Sequence, residues 1–290
     1  MMIEQLGLIG CGLMGGSLAL ALKRAGLVKR VVGFSPSERT RQTALKLGVI
    51  DHAVSTAALA AKGSDVVVLA LPVAATQPSF EAIRDVIGEH TLVMDVGSTK
   101  QDVVAAAQVL GTRLSCFVPA HPIAGKEVAG VAHAEAHLYN GKKVILTPSE
   151  VTNQALCQKA QAIWQAVGST VTTMSAERHD AVFAAVSHLP HVIAFAAVNA
   201  LSSQPQADEL LNMAGPGFRD FSRIAASDPS VWRDILLANR DEVLVQAKLF
   251  QAQMALLQTA IEQGDAQALT ELIASARDTR GPWRMNQTQD

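Results

Sequence analysis

Runs of apolar residues of strand length alternate with helical patterns over the first 174 residues of the chain. This alternation predicts a parallel sheet with helices packed on both of its faces. Helical stretches are followed by Gly26, Gly48, Gly63 and Gly168, as expected where a helix ends in a left-handed residue. The strands are predicted over 5–9, 31–34, 66–71, 92–96, 115–118, 144–147 and 170–174, and the helices over 14–25, 38–47, 74–86, 101–109 and 153–167.

The hydrophobic pattern changes near residue 174. Strand signals stop there, and residues 176–279 show helical periodicity joined by polar turns, with one long run over 231–262 that has few helix breakers. We therefore predict two domains. The first, residues 1–174, is a Rossmann-type doubly wound α/β domain that binds a dinucleotide, and the second, residues 175–290, is all-helical.

One helix of the second domain, over 181–201, is apolar on nearly every face. Its length suffices to cross a bilayer, but Ser187, His188, Pro190 and His191 lie at its middle, where polar groups and a proline are costly in lipid. We therefore predict a helix buried in protein and no membrane span. Because one chain offers few helices to enclose it, the pattern also predicts a homodimer through the helical domain.

The composition narrows the class of protein. The 290 residues carry 24 basic and 26 acidic side chains, a net charge of −2, so the chain lacks the basic excess that general nucleic-acid binding needs. A hydrophobic fraction of 49% supports a large core and excludes a mainly disordered chain. Three scattered cysteines give no disulfide framework or metal-binding pair, and residues 1–9 lead straight into a glycine motif, so we expect no signal peptide and a cytoplasmic setting.

The glycine motif, G-x-G-x-x-G, follows the first predicted strand and opens the first helix. Gly10 permits a tight turn, Gly12 lets the backbone approach a diphosphate, and Gly15 lets helix and strand pack closely. The anion is expected at the positive end of the helix that starts near Leu13 and Met14. The alternative is a purely structural glycine turn, which the position inside an α/β pattern disfavours.

The end of the second strand predicts which dinucleotide is bound. An acidic residue there would bind the ribose hydroxyls of NAD, but this chain has Ser35. A serine does not repel a 2′-phosphate, and Arg39 or Arg41 is placed to pair with one, so we predict NADP, with NAD as the alternative. In that alternative the arginines are solvated helix charges and Glu38 takes the acidic role.

Two further candidates follow strand ends, where doubly wound sheets bind ligands. Ser98 comes after the strand at 92–96 and is expected near the nicotinamide or the substrate, although it could also cap the next helix. His121 lies between Pro119 and Pro122, on what we expect to be a stiff loop. Because imidazole titrates near neutrality, His121 suits proton abstraction during hydride transfer, and the alternative is a structural or exposed histidine.

The helical half adds a second group of candidates. His188 and His191 are three residues apart and share a helix face, which favours a polar pair at the active-site cleft. A metal pair is disfavoured because no third ligand follows at a suitable spacing. Arg219 and Arg223 form a candidate carboxylate clamp, the alternative being surface charges paired with neighbouring aspartates.

Five segments in this order, GLIGCGLMGGS, DVGSTK, HPIAGKE, SHLPH and GFRDFSRIAASDPSVWRDI, resemble the prephenate/arogenate dehydrogenase family of tyrosine biosynthesis. The resemblance covers about residues 5–280, and the last three segments are its most specific part. It implies a Rossmann domain followed by a helical dimerisation domain, in agreement with the hydrophobic pattern.

The resemblance also implies roles for individual residues. His121 is similar to the histidine that takes the proton from the C4 hydroxyl of the substrate ring, and Ser98 to the serine that positions both groups. Arg223, rather than Arg219, matches the arginine that binds a substrate carboxylate. The residues that match positions lining the substrate pocket or its mouth are His188, Trp232, Glu127 and Asp220.

The implied reaction is the NAD(P)-dependent oxidative decarboxylation of prephenate or arogenate to 4-hydroxyphenylpyruvate or tyrosine; the residues do not separate these substrates. One alternative is a 3-hydroxyacid dehydrogenase of related fold, which would need a lysine base, and residues 181–201 contain no lysine. The other is a non-catalytic regulator that senses NADP, which would not need His121, Ser98 and Arg223.

Overall fold

The protein is described from a computed structural model over residues 2–126 and 128–284. The first domain contains a six-stranded parallel sheet. Its strands are β1 (Ile3–Ile9), β2 (Val28–Phe34), β3 (His52–Ala53), β4 (Val66–Leu69), β5 (Leu92–Asp95) and β6 (Phe117–Val118). They lie in the order β3-β2-β1-β4-β5-β6, so the winding reverses between β1 and β4 and opens a crevice at the carboxyl edge of the sheet.

Helices cover this sheet, and β4 and β5 are consequently buried along their whole length. The helices of the domain are α1 (Leu13–Arg24), α2 (Glu38–Lys46), α3 (Ala57–Ala61), α4 (Thr76–Ile83), α5 (Gln101–Ala106) and α6 (Gln154–Ala166). As predicted, Gly26, Gly48, Gly63 and Gly168 all have positive φ. The Rossmann-type fold predicted for this half is confirmed.

A second, smaller sheet follows; the hydrophobic pattern predicts two of its strands, at 144–147 and 170–174, but neither its third strand nor its separation from the large sheet. Its strands, in order, are β7 (Ala120–Pro122), β8 (Lys143–Leu146) and β9 (Thr170–Thr173). Strand β7 runs antiparallel to β8, and β8 runs parallel to β9. The expectation of a loop around His121 is therefore wrong, since His121 lies within β7 and pairs with Ile145. A strand of three residues is too short to show a periodic pattern.

The second domain is helical throughout its described part. Its helices are α7 (Ala176–Phe183), α8 (Leu189–Ser202), α9 (Ala207–Asn212), α10 (Pro216–Ser222), α11 (Pro229–Ala238), α12 (Arg240–Gln263) and α13 (Ala266–Arg280). A π-helical turn over Ala184–His188 joins α7 to α8. The long helix predicted over 231–262 is instead interrupted at Asn239, whose side-chain amide donates to the Asp180 carbonyl oxygen at 2.8 Å. This buried bond ties the corner between α11 and α12 to α7.

The apolar segment Ala176–Ser202 is long and apolar enough to cross a membrane by length and composition alone. As the sequence predicts, a single chain does not enclose it, because only 22% of its most apolar window is buried within the chain. Large apolar side chains elsewhere in this domain are also more than half exposed: Leu237, Leu249, Ile261 and Ile273. The helical domain thus presents apolar surface that the described chain leaves uncovered.

Candidate active site

The glycine turn joins β1 to α1 at the carboxyl edge of the large sheet. Gly10 has a φ of +101°, and a Cβ there would lie 2.1 Å from the carbonyl oxygen of Ala70. A Cβ on Gly15 would lie 2.3 Å from the carbonyl oxygen of Gly10. Both positions therefore require glycine, one for the turn and the other for the close packing of α1.

Gly12 is different, because a Cβ at this position would meet nothing within 4 Å. It is the N-cap residue of α1 and offers no side-chain cap, which leaves the N–H groups of the first turn, at Leu13 and Met14, to an outside acceptor. Open space in front of an uncapped helix N-terminus fits the diphosphate of a dinucleotide.

The carboxyl end of β2 presents Ser35, which is buried. The guanidinium of Arg41 donates to the carbonyl oxygens of Ser35 and Pro36. Arg39 and Glu38 are exposed on the first turn of α2. A cation therefore lies beside the position at which a Rossmann domain contacts the ribose.

A buried ion pair lies at the carboxyl end of β5. Asp95 and Lys100 are 3% and 0% exposed and bond to each other. The Asp95 carboxylate also accepts the N–H of Gly97 at 2.8 Å and that of Ala120 at 2.9 Å, and Lys100 Nζ donates to the Ala120 carbonyl oxygen at 3.1 Å. The pair thus fixes the backbone on both sides of Ala120, the residue before His121.

The His121 ring is partly buried and packs against Phe183, with ring centroids 4.8 Å apart. Its Nδ1 lies 2.8 Å from Nε2 of His179. Burial, followed by the positive charge that His179 and Lys100 can carry, holds the pKa of His121 well below its ordinary value. The imidazole is therefore neutral near physiological pH, which is the state that a proton acceptor needs.

His179 and Asp180 are buried at the middle of α7 and extend this contact. His179 Nδ1 is 2.7 Å from the Asp180 carboxylate, which also accepts the N–H of Lys100 at 2.9 Å and that of Gln101 at 2.8 Å. Asp180 therefore caps α5 from the helical domain. Sequence analysis missed both residues, because a neighbouring His–Asp pair carries no motif and only the fold brings it to His121.

Ser98 lies in the loop between β5 and α5 and is partly buried. The interpretation of Ser98 as a helix cap is wrong, because the first N–H groups of α5 bond to Asp180. Its position at the strand end, three residues after Asp95, is where doubly wound sheets place ligands.

His188 lies in the π-helical turn and is 1% exposed. Its Nδ1 is 3.1 Å from the side-chain nitrogen of Asn239. Burial lowers the pKa of His188 to about 4, with the Asp180 charge opposing and His179 and His191 reinforcing the shift. The same Asn239 nitrogen donates to the carbonyl oxygen of Asp180. Hydrogen bonds through Asp180 and His179 therefore link His188 to His121.

His191 stacks on Trp232 with ring centroids 3.5 Å apart and 20° between the planes. The pKa of His191 is lowered, mainly by burial. The bond from its ring to the Ser187 carbonyl oxygen raises this pKa, whereas the charge of Arg223 lowers it further. Arg223 therefore lies close to the stacked pair. Aromatic rings beside a guanidinium suit a ring-shaped ligand that carries a carboxylate.

Comparison with known protein families assigns the chain to one of them. A model described as "Prephenate dehydrogenase, nucleotide-binding domain" matches residues 18–173, and one described as "Prephenate dehydrogenase, dimerization domain" matches residues 175–275. The chain belongs to the prephenate dehydrogenase family.

Relatives and solved structures of the prephenate dehydrogenase family agree with this membership. The chain is 38% identical to the prephenate dehydrogenase of Bacillus subtilis, covering 94% of this chain and 74% of the relative. It is 32% identical to the cyclohexadienyl dehydrogenase of Zymomonas mobilis, covering 96% and 95%. The crystal structure of prephenate dehydrogenase from A. aeolicus in complex with hydroxyphenyl propionate and NAD+ superposes with a TM-score of 0.90 at 36% identity, covering 97% and 98%.

Membership of the prephenate dehydrogenase family makes the chain an oxidoreductase with a pyridine nucleotide cofactor. Within its site, hydrogen bonds through His179, Asp180 and Asn239 connect His121 to His188. Trp232 lies beside His188, with ring centroids 6.1 Å apart, and Arg223 lies close to the stacked His191. Asp220 is not part of this group, since it is exposed and pairs with the neighbouring Arg219 at 2.9 Å. The predicted site residue Glu127 lies outside the described residues.

Proposed function

We propose that this protein catalyses the oxidative decarboxylation of prephenate or arogenate to 4-hydroxyphenylpyruvate or tyrosine. The observation that carries the proposal is the neutral imidazole of His121, tied through Ala120 to the end of β5 at the sheet edge that also carries the glycine turn. The glycine turn and the first turn of α1 would hold the dinucleotide, which would supply the acceptor for a hydride from ring C4 of the substrate.

In this proposal His121 takes the proton of the C4 hydroxyl, and Ser98 positions that hydroxyl against the imidazole. Arg223 binds a substrate carboxylate, while His188 and Trp232 line the ring pocket. The remaining chemistry belongs to the substrate, because loss of carbon dioxide from C1 makes its ring aromatic. The protein contributes mainly orientation and a correctly protonated acceptor.

The assay follows NADPH absorbance with prephenate and with arogenate in parallel, for the wild type and His121→Asn. We expect turnover with at least one substrate, and a loss of turnover in the variant while NADP still binds. Binding of NADP without turnover of either compound would favour the NADP-sensing regulator. Turnover of 3-hydroxyacids instead would favour the related dehydrogenase.

The proposed cofactor is NADP, supported by Ser35 at the end of β2 and by the Arg41 guanidinium beside it. We expect a lower KM for NADP than for NAD. Replacing the exposed Arg39 with Gln should raise the KM for NADP and leave that for NAD nearly unchanged, because only NADP carries the 2′-phosphate. A clear preference of the wild type for NAD would contradict the proposal.

The proposed assembly is a cytoplasmic homodimer formed through the helical domain. It is supported by the apolar surface of Ala176–Ser202 and by the match to a family dimerization domain. Sedimentation equilibrium at micromolar concentration tests this assembly, and the mass of a single chain would contradict it.

A further inference from the structure

Three buried or partly buried side chains form a continuous hydrogen-bonded series from α7 to β7. The Asp180 carboxylate is 2.7 Å from His179 Nδ1, and His179 Nε2 is 2.8 Å from His121 Nδ1. Both ring nitrogens of His179 therefore take part in hydrogen bonds, Nδ1 with Asp180 and Nε2 with His121. The proposed reaction uses His121 alone, so the other two residues have no assigned role in it.

The direction of these bonds follows from Asp180. This carboxylate accepts the N–H groups of Lys100 and Gln101 in addition to its bond with His179. Burial raises its pKa, but the bonds from His179 and from the two backbone groups outweigh burial, so the pKa of Asp180 is lowered and the group is ionised. An ionised carboxylate only accepts hydrogen bonds.

His179 Nδ1 must consequently carry the proton that Asp180 accepts. Burial lowers the pKa of His179, although the bond to Asp180 opposes this, and a neutral imidazole carries one proton only. Its Nε2 is therefore an acceptor. His121 Nδ1, 2.8 Å away, must then be the donor, which leaves the second nitrogen of a neutral His121 without a proton.

We propose that His179 and Asp180 are positioning residues, which hold His121 in the tautomer that carries its proton on Nδ1 and presents an unprotonated Nε2 to the substrate hydroxyl. This assignment rests on the proposed function for its consequence in catalysis. The tautomer itself is a property of the protein without substrate and can be measured separately.

The backbone of His121 is held independently of its ring. Asp95 and Lys100 fix both sides of the Ala120 peptide, whereas His179 contacts only the imidazole. A change at His179 should therefore alter the protonation pattern of His121 while β7 stays in place. The competing interpretation is that His179 merely packs against Phe183, at a centroid distance of 4.5 Å.

The first test measures the tautomer of His121 in the wild-type protein. Two-bond ¹H–¹⁵N spectra of protein labelled with ¹⁵N-histidine, recorded above neutral pH, distinguish the two neutral tautomers, and His121→Asn is used only to assign the resonance of His121. We expect the proton of His121 on Nδ1. A proton on Nε2 would overturn the proposal, whatever the outcome of the substrate assay.

The second test compares His179→Leu with His179→Gln. Leucine fills the space of the ring but removes both bonds, whereas the glutamine amide offers a donor nitrogen and an acceptor oxygen, as the neutral imidazole offers a donor and an acceptor nitrogen. We expect His179→Leu to populate both tautomers of His121 and to lower kcat by on the order of 100-fold with little change in KM, and His179→Gln to recover most of this loss.

The outcomes separate the two proposals. An unchanged tautomer and an unchanged kcat in His179→Leu would overturn the positioning role and leave the proposed function intact. A wild-type protein with the expected tautomer but no turnover of prephenate or arogenate would overturn the function and leave the hydrogen-bond assignment. If His179→Leu does not fold, the wild-type spectrum and His179→Gln still decide the question, since Gln must retain the Nδ1 tautomer.

Discussion

Acidification should destabilise this protein through His188, and the size of the effect can be worked from its surroundings. The ring is 1% exposed, and its Nδ1 faces the Asn239 amide nitrogen at 3.1 Å. That nitrogen also donates to the Asp180 carbonyl oxygen at 2.8 Å, so it faces His188 as a donor. Protonating Nδ1 would place two donors against each other as well as burying a charge.

These surroundings hold the pKa of His188 at about 4 in the folded protein, with burial as the main cause. The pKa of an unfolded histidine is about 6.5. Below that value the unfolded chain binds more protons than the folded one, so stability is complete above pH 6.5 and is lost as the pH falls towards 4. Between pH 7 and pH 5 the linkage relation gives a loss of about 2 kcal/mol from this residue.

The measurement is urea unfolding of the wild type and of His188→Asn at pH 7 and pH 5, at one protein concentration. Asparagine places an acceptor near the position of Nδ1 and does not titrate. The variant keeps the other buried histidines, so the difference between the two pH-dependent losses reports the titration of His188 together with its coupling to those neighbours. We expect the wild type to lose about 2 kcal/mol more than the variant.

Equal losses in the two proteins would refute this reasoning, because they would mean that His188 titrates alike in the folded and unfolded states. If the variant loses more stability than the wild type, the pKa of His188 must be higher in the folded protein than in the unfolded one. If the free energy of unfolding differs between the two proteins by the same amount at both pH values, the difference comes from the smaller side chain of the variant. It then says nothing about the pKa of His188.

Three substitutions test the site itself. His121→Asn should lower kcat by about 10²–10⁴-fold with unchanged NADP affinity, measured by stopped-flow turnover and calorimetry; near-normal turnover would remove His121 from the proposed role. Arg223→Ala should raise the substrate KM about 10-fold or more, whereas the exposed Arg219→Ala should not, and equal effects would exclude a specific carboxylate contact. Gly15→Ala should weaken NADP binding about 10-fold or more, because its Cβ would lie 2.3 Å from a backbone oxygen; Gly217→Ala, with nothing within 4 Å, is the control, and unchanged affinity would contradict the packing argument.

The sequence determined those features that depend on local pattern. Strand-length apolar runs, helical periods and the glycine turn specify the Rossmann-type half, because hydrophobic periodicity and the backbone freedom of Gly10 act over a few neighbouring residues. The same reasoning placed Ser98 just after β5 and His121 just after β6, at the edge where the parallel sheet presents ligand sites, although His121 itself lies within β7.

Only the tertiary structure decided what meets His121. His179 and Asp180 are 58 and 59 positions further along the chain, and Asn239 is further still. Their hydrogen bonds exist because α7 packs onto α5 and β7, and because the corner before α12 packs onto α7. The antiparallel pairing of β7 with β8, which replaces the predicted loop, is also a contact between distant segments. A hydrogen bond between residues far apart in the sequence requires only one donor and one acceptor at the right distance. It therefore imposes no repeating pattern from which it could be predicted.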